Sequence, residues 1–324
     1  MIAEPLIETK TITTREKRTF FAKILLFGEY GIIRGSKALS IPFADHQGKL
    51  AFITSENLVS LKSHKELTAF AQYLMDEQQK GQLPFELDIA ALEQDIEQGL
   101  YFDSTIPQGF GVGSSGALCA ALYDAYAIEP IHRVNIPMPQ IIKLKSIFAH
   151  MESYFHGKSS GMDPLICYLN VPILINTKDH IVSVEMPLGG EGKGGIFLLN
   201  SGVPGHTQPL VQWFLEQCAK QQFVTSFHEE FIVNNDECIT SFLKGSTREL
   251  FGNLKHLSRF LFENLQPMIP EVFREAWKKG IDTGDYHLKL CGSGKGGYIL
   301  GFTEDMAKAR KQLKGHEVKE IFRF

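Results

Sequence analysis

Two carboxylates, Glu152 and Asp163, lie eleven residues apart on either side of a segment rich in glycine and serine, HGKSSGM. Such a segment does not readily continue a helix, so the chain can turn there and bring both carboxylates to one site. Phosphoryl transfer uses one carboxylate to hold Mg²⁺ and another to orient or deprotonate the acceptor hydroxyl. The pair is therefore a candidate for that chemistry. Because Pro164 follows it, Asp163 also suits a helix N-cap, which is the structural alternative.

A second candidate is the glycine-rich stretch PQGFGVGSSG at residues 107–116, between a predicted strand and a predicted helix. Glycines let backbone N–H groups approach an anion closely, and a helix N-terminus adds free N–H groups and a positive dipole end. The stretch is thus a candidate phosphate cradle, in which a serine hydroxyl could cap the helix or ligate Mg²⁺. A merely flexible turn is the alternative. The candidate residues are Pro107, Gly109, Gly111, Gly113, Ser114, Ser115 and Gly116.

Two standard nucleotide-binding motifs are excluded. A P-loop needs Gly, four residues and then Gly-Lys-Ser or Gly-Lys-Thr. Residues 157–159 have that ending, but Glu152 stands where the first glycine is required, and residues 294–296 read Gly-Lys-Gly. Residues 111–116 fit the letters GxGxxG of a dinucleotide-binding fold. However, they lie deep in the chain, and no acidic residue ends a strand about twenty residues later.

Two further segments hold candidate site residues. Residues 289–298 (KLCGSGKGGY) contain more glycine and serine than a hairpin needs, so Gly292, Ser293 and Gly294 are candidates for contact with a nucleotide or substrate head group. A flexible β-turn is the alternative there. Lys23 lies in an apolar strand near the N-terminus. A buried lysine needs a charged partner such as a phosphate, unless it points outward at a strand edge.

Predicted strands and helices position these segments. Aromatic and branched residues predict strands at 19–27, 38–42, 49–54, 57–62, 84–90 and 100–106. Apolar residues at helical spacing predict helices over 64–78, 114–127 and 138–155. Further strands are predicted at 171–175, 181–186 and 195–200.

The pattern changes beyond about residue 190. Three or four helices are predicted between residues 208 and 280, and two strands flank the glycine-rich turn near residue 293. A helix near 304–313 and a strand near 317–323 follow. This order predicts a second α+β domain, with a hinge at residues 187–194.

The composition limits the class of protein. A chain of 324 residues predicts two domains or one large one. A net charge of -4 without a run of Lys and Arg argues against nucleic acid as a partner. Five scattered cysteines predict neither disulfides nor zinc and favour a reducing cytoplasm. No apolar stretch is typical of a signal peptide or a membrane span, so we expect a soluble, cytoplasmic protein without a membrane partner.

Taken together, the motifs resemble those of the GHMP kinase family in their order and spacing. In this chain, KILLFGEYGIIRG resembles the family's first motif, PQGFGVGSSGA its second and LCGSGKGG its third. The resemblance extends from Lys23 to Tyr298. The segment E-x-x-x-H-G-x-x-S-G-x-D is similar to the pattern of the mevalonate kinase subfamily.

The resemblance implies an α+β, two-domain GHMP kinase fold. Residues 1–190 would form an ATP-binding domain like domain 2 of ribosomal protein S5, and residues 191–324 a ferredoxin-like α/β domain. It also implies a transferase that uses ATP and Mg²⁺ to phosphorylate a small molecule. The implied acceptor is the 5-hydroxyl of mevalonate, in isoprenoid biosynthesis. The resemblance leaves open whether the protein forms a homodimer.

The resemblance further implies roles for individual residues. Asp163 would take the proton of the acceptor hydroxyl, and Lys23 beside it would stabilise charge on the phosphate. Ser115 and Glu152 would hold Mg²⁺. The residues implied to contact the substrate are Glu29, Tyr30, His156, Ser160 and Gly161.

The sequence departs from the family pattern at several positions. Phe21-Ala22 precedes Lys23 where Pro-Gly is usual, Ser159 replaces a proline, and Lys295 replaces a glycine. Tyr30 stands where mevalonate kinases usually have His and is more familiar from phosphomevalonate kinases. Lys158 would favour a more anionic acceptor. The alternatives are therefore another GHMP kinase, acting on phosphomevalonate, a sugar or a sugar phosphate, and a non-catalytic binding module with this fold.

Overall fold

The structure, a computed structural model, describes residues 18–55, 57–177, 180–187, 189–205 and 207–324. It contains two antiparallel sheets with helices packed against them. The strands of the first sheet end at Ser183, and those of the second begin at Gly195. The predicted mixture of helix and sheet is confirmed.

The first sheet of the described chain has five strands: Thr19–Phe27 (β1), Ala38–Phe52 (β2), Leu100–Ser104 (β3), Ile173–Thr177 (β4) and His180–Ser183 (β5). The long strand β2 organises the sheet, because it pairs with β1 along most of its length, with β4 near its start and with β3 near its end. Along β1, Phe20, Ala22, Ile24 and Leu26 are buried at alternating positions, as a strand with one face on a core requires.

Five helices accompany this sheet among the described residues: Leu58–Gln79 (α1), Ile89–Glu97 (α2), Ser114–Tyr126 (α3), Met138–His156 (α4) and Met162–Leu169 (α5). Helices α3 and α5 contact each other, and both contact β1 and β2. Small residues in α3, such as Gly116 and Ala120, permit this close packing.

Two of the predicted strands are wrong. Residues 57–62 contain the first turns of α1, where the Asn57 side chain accepts a hydrogen bond from Ser60 N in a capping box. Leu58 and Val59, which suggested a strand, are largely exposed. The predicted strand at 84–90 contributes only the bridge of Leu87 with Ala127, before α2 begins. The strands predicted at 38–42 and 49–54 belong to the single strand β2.

The second sheet of the described chain contains Gly195–Asn200 (β6), His287–Leu290 (β7), Tyr298–Thr303 (β8) and Val318–Arg323 (β9), in the order β7-β8-β6-β9. Helices follow β6 and β8, so the connectivity is β-α-β-β-α-β, that of a ferredoxin-like sheet. This part of the predicted fold class is confirmed. The helices are Thr207–Gln217 (α6), Gln221–Ser226 (α7), Val233–Leu243 (α8), Thr247–Asn264 (α9), Arg274–Thr283 (α10) and Met306–Gln312 (α11).

The helical insertion between β6 and β7 is larger than predicted. Five α-helices, not three or four, are described there, and a π-helical segment, Phe227–Ile232, joins α7 to α8. Its phenylalanines form part of an aromatic core: the rings of Phe227 and Phe231 stack at 4.5 Å, and Phe214 lies 5.1 Å from Phe227. This core packs against the segment after β1, since a Cβ on Gly31 would lie 2.9 Å from Phe231 Cε1 and the ring of Tyr30 lies 4.9 Å from that of Phe214.

The predicted domain boundary at residues 190 and 191 falls in the connection between the two sheets and stays a prediction. Gly190 N donates to Arg323 O at 3.2 Å, and Phe324 N donates to Gly194 O at 3.1 Å. The connection therefore lies beside β9. No helix in the described part of the chain is long and apolar enough to cross a membrane.

Candidate active site

An ion pair between Lys23 and Asp163 lies at the centre of the candidate site. Lys23 Nζ is 2.9 Å from Asp163 Oδ2, and the side chains are 5% and 40% exposed, respectively. Burial alone would lower the pKa of Lys23, but the charge and hydrogen bond of Asp163 outweigh it, so the pKa is raised. The buried lysine thus has a charged partner, and the alternative that it points outward at a strand edge is wrong.

The elements that carry this pair fix its geometry. Lys23 N donates to Val112 O at 3.0 Å, which ties β1 to the glycine-rich stretch. Asp163 is the second residue of α5, whose N-cap is Gly161 in the left-handed conformation, with φ 71°. The alternative role of Asp163 as an N-cap is therefore wrong. Its carboxylate faces Lys23 instead.

Glu152 lies in a cluster with two serine hydroxyls. Glu152 Oε1 accepts a hydrogen bond from Ser115 Oγ at 3.2 Å, and its other carboxylate oxygen accepts one from Ser159 Oγ. Burial, followed by the nearby charge of Asp163, raises the pKa of Glu152 to about 7. The turn between α4 and α5 therefore brings Glu152 and Asp163 into electrostatic contact, as their spacing predicted.

The glycine-rich stretch touches both parts of this cluster. A Cβ on Gly113 would lie 2.9 Å from Lys23 Cγ, and one on Gly116 would lie 2.8 Å from the backbone carbon of Asp163. Gly113 is also the N-cap of α3, with φ 82° and no side-chain cap. A serine cap is therefore wrong for this helix. Its N-terminal N–H groups lie beside Lys23 and Asp163, where an anion would be favoured.

The third glycine-rich segment packs directly on the second. A Cβ on Gly111 would lie 2.9 Å from Cys291 O, one on Gly292 would lie 3.4 Å from Gly111 Cα, and one on Gly297 would lie 2.7 Å from Phe110 Cα. The approaches at Gly111 and Gly297 leave no room for a side chain, so these two glycines have a packing reason beyond a hairpin turn. The two segments therefore meet, although they are far apart in sequence.

Residues 69–170 match the family model described as the GHMP kinases N terminal domain. Residues 69–170 are therefore similar to a GHMP kinase N-terminal domain. The matched residues include the glycine-rich stretch, Glu152 and Asp163. No curated protein sequence matches the chain.

Solved structures extend the likeness to both sheets. Phosphomevalonate kinase of Streptococcus pneumoniae, in complex with phosphomevalonate and AMPPNP, is 16% identical with a TM-score of 0.61, covering 94% of this chain and 99% of its own. Mevalonate kinase of L. major, in complex with R-mevalonate, is 15% identical with a TM-score of 0.60, covering 99% of both chains. Lactococcus lactis galactokinase complexed with galactose is 13% identical with a TM-score of 0.54, covering 95% of both. These identities show the fold alone. The predicted resemblance to GHMP kinases is confirmed.

Two residues that the GHMP resemblance assigned to the substrate have other contacts. Glu29, whose side chain is 2% exposed, pairs with Lys289 Nζ, and burial, opposed by Lys289, raises the pKa of Glu29. Tyr30 Oη donates to Ser293 O at 2.7 Å, and its ring lies 4.9 Å from that of Phe214. Their substrate contacts stay predictions. Sequence reasoning missed Lys289, because no local pattern indicates a partner so far along the chain.

The turn before α5 adds one more residue that sequence reasoning missed. Ser159 donates to Glu152 and accepts from Gly161 N at 3.0 Å, where the family pattern has a proline that could not donate. Ser160 Oγ accepts from Met162 N at 3.4 Å. His156 ends α4, but its side chain lies outside the described residues. The substrate contacts of His156, Ser160 and Gly161 stay predictions.

Proposed function

We propose that the protein is a small-molecule kinase that transfers the γ-phosphate of ATP to the 5-hydroxyl of mevalonate. The observation that carries this proposal is the partly exposed carboxylate of Asp163, held by the buried Lys23 beside the N-terminus of α3. Such an arrangement suits a hydroxyl that gives its proton to the carboxylate as its oxygen bonds to the γ-phosphorus and the bond from that phosphorus to the ADP oxygen breaks.

In the proposed reaction, Asp163 orients the acceptor hydroxyl and accepts its proton. Lys23 keeps the carboxylate in place and stabilises negative charge on the transferring phosphoryl group. The N–H groups at the start of α3 and along residues 109–113 bind phosphate oxygens. Positioning and charge neutralisation account for most of the rate in such a reaction, and fixed N–H groups need no reorganisation.

Ser115 and Glu152 would hold Mg²⁺ in this scheme. No group of three or more His, Cys, Asp or Glu side chains that could bind a metal occurs among the described residues. Mg²⁺ at a phosphate site is usually held by one or two carboxylates together with the phosphates, so one carboxylate and one hydroxyl fit that chemistry. The cation would neutralise charge on the phosphates of ATP. Glu152 would bind it in its deprotonated form.

Mevalonate is the acceptor that the sequence pattern from Glu152 to Asp163 supports, and the fold is shared with L. major mevalonate kinase. Phosphomevalonate is a second candidate. Tyr30 stands at a position where this residue is more familiar from phosphomevalonate kinases. Lys158 is exposed in the turn next to Ser159, where it could meet a second anionic group. A shared fold with S. pneumoniae phosphomevalonate kinase fits this candidate equally well.

An ADP-release assay with Mg²⁺–ATP tests the proposal against mevalonate, phosphomevalonate, galactose, homoserine and heptose phosphates. Turnover with mevalonate alone is expected. Turnover with phosphomevalonate alone would keep the mechanism and move specificity to Tyr30 and Lys158. Wild-type protein without turnover on any acceptor would contradict the proposed function. Asp163→Asn, assayed in parallel, controls for contaminating kinases.

A further inference from the structure

The two carboxylate oxygens of Glu152 accept hydrogen bonds from two different serines. Oε1 accepts from Ser115 Oγ at 3.2 Å, and Oε2 accepts from Ser159 Oγ. Ser115 is the second residue of α3, whereas Ser159 lies in the turn between α4 and α5. Glu152 itself is buried. One oxygen therefore faces the glycine-rich stretch, and the other faces the turn.

The hydroxyl of Ser159 has a second partner, which fixes its position. Its oxygen accepts a hydrogen bond from Gly161 N at 3.0 Å. A hydroxyl has one hydrogen to donate, and a deprotonated carboxylate can only accept, so the hydrogen of Ser159 points to Glu152. The hydroxyl therefore connects the backbone of the turn to the carboxylate of Glu152.

The backbone at Gly161 is itself held closely against α4. Gly161 has φ 71°, and a Cβ there would lie 2.5 Å from Ala149 N and closer still to Lys145 O, so only glycine leaves room for this approach. Gly161 is also the N-cap of α5, whose second residue is Asp163. The hydroxyl of Ser159 is thus tied to a backbone position that cannot shift without moving α4 or the start of α5.

A glutamate that presents one oxygen in a fixed direction needs an anchor of this kind. The last torsion of its side chain joins an sp³ carbon to an sp² carbon and has broad minima, so the side chain alone does not fix the plane of the carboxylate. Hydrogen bonds to a metal ligand orient it, and their loss typically costs about 10- to 100-fold in metal affinity or activity. Ser159 donates such a bond to Glu152.

We propose that Ser159 is a positioning residue, which holds one oxygen of Glu152 so that the other stays beside Ser115 and can ligate Mg²⁺. Ser159 acts through Glu152 and contacts neither the cation nor the phosphates. This inference rests on the proposed kinase function, in which Glu152 and Ser115 hold Mg²⁺. Because the family pattern has a proline at residue 159, which carries no hydroxyl, the arrangement belongs to this chain.

Isothermal titration calorimetry with AMPPNP, in the presence and absence of Mg²⁺, separates this role from a purely structural one. For Ser159→Ala, we expect the Kd of Mg²⁺–AMPPNP to rise about tenfold and the Kd of metal-free AMPPNP to change by less than about threefold. A structural defect would weaken the binding of both forms alike. Ser159→Thr keeps the hydroxyl and should bind both forms as the wild type does.

A matched control lies next to Glu152 on α4. Ser153 Oγ donates to Ala149 O at 2.6 Å, within the same helix, and not to the carboxylate of Glu152. Ser153→Ala removes the same chemical group one residue away and should leave both Kd values unchanged. An equal loss of Mg²⁺–AMPPNP binding in Ser153→Ala would attribute the effect to the end of α4 in general and would reject the positioning role.

Turnover gives a second readout. In Ser159→Ala, the Mg²⁺ concentration for half-maximal ADP release should rise about tenfold, while kcat at saturating Mg²⁺ stays within about threefold of wild type, because Lys23 and Asp163 are unchanged.

The outcomes that overturn this inference differ from those that overturn the proposed function. Unchanged binding of Mg²⁺–AMPPNP by Ser159→Ala, or equal weakening with and without Mg²⁺, would refute the positioning role. A wild type that binds AMPPNP no more tightly with Mg²⁺ than without it would refute that role as well. A wild type that binds Mg²⁺–AMPPNP more tightly, loses this gain in Ser159→Ala and turns over no acceptor would contradict the proposed function and still support the positioning of Glu152.

Discussion

The pairs Lys23–Asp163 and Lys289–Glu29 contain the same chemical groups but differ in the exposure of the carboxylate. Both lysines are buried, while Asp163 is 40% exposed and Glu29 only 2%. An exposed carboxylate can meet a hydroxyl that enters from solvent, whereas a buried one can act only on its protein neighbours. The comparison teaches that burial, rather than residue type, separates a candidate reacting group from a carboxylate that only its protein neighbours can reach.

The largest expected effect comes from the exposed carboxylate. Asp163→Asn should lower kcat by about 10²- to 10⁴-fold, the usual contribution of a general base, while Tm changes little. ADP release and thermal unfolding, measured on the same preparation, check this. An unchanged kcat would remove Asp163 from the mechanism and would erase the contrast with Glu29.

A second test concerns His287, which lies on β7 two residues before Lys289 and differs from it in having no partner for one nitrogen in the described part of the chain. Lys289 has a buried partner, whereas His287 Nδ1 has no hydrogen-bond partner among the described residues. Burial, followed by the charge of Lys255, lowers the pKa of His287 to about 4. The folded state therefore binds this proton less readily than the unfolded state, whose pKa lies near 6.5. Stability from this group is complete above about pH 6.5 and is lost as the pH falls towards 4.

The expected size of this effect is about 2 kcal/mol between pH 7 and pH 5. Urea unfolding of the wild type and of His287→Leu at both pH values measures it. The wild type should lose about 2 kcal/mol more than the variant over this interval. Equal losses would show that His287 is not the group that titrates.

A smaller effect is expected at the hydroxyl beside Glu152. Ser115→Ala should raise the Mg²⁺ concentration needed for half-maximal activity by about tenfold, as the loss of one oxygen near a cation usually does. Ser115→Thr keeps the hydroxyl and serves as the conservative control. Unaltered metal dependence in Ser115→Ala would reject a role of Ser115 in holding the cation.

The smallest expected effect concerns a third lysine, which is exposed. Lys295 has φ 60°, a left-handed conformation that costs free energy for any residue with a Cβ. Lys295→Gly should therefore raise the free energy of unfolding by about 0.5 kcal/mol, after the entropy cost of glycine. Lys295→Ala keeps the Cβ and should not. If Lys295→Ala raises the free energy of unfolding as much as Lys295→Gly does, the left-handed backbone conformation is not the cause of the stabilisation.

The sequence predicted which groups of the candidate site lie together better than it predicted the partners of Glu29 and Glu152. Lys23 in an apolar strand required a charged neighbour, and the spacing of Glu152 and Asp163 indicated a turn that brings them together. By contrast, the partner of Glu29 lies 260 residues away, and pairing over that distance follows from the docking of two sheets rather than from local composition. For Ser159, the sequence showed only that a serine replaces the proline of the family pattern, and it did not predict the hydrogen bond to Glu152.

The errors in the predicted elements have a physical reason as well. At residues 57–62 the apolar side chains favoured a strand, but the capping box at Asn57 starts a helix and leaves Leu58 and Val59 exposed. At residues 84–90 a strand of the predicted length is replaced by a cap, because Asp88 accepts from Ala91 N and begins α2. Local hydrogen bonds overrode apolar composition in both places.

The close approach of α3 and α5 at Gly116 has a consequence for mutational tolerance. A methyl group there would collide with the backbone of Asp163 and push its carboxylate away from Lys23. In a saturation scan this glycine should therefore behave like a reacting residue, although it has no functional group. Loss-of-function variants at such a position report on the shape of the backbone, and no inspection of side-chain chemistry would single them out.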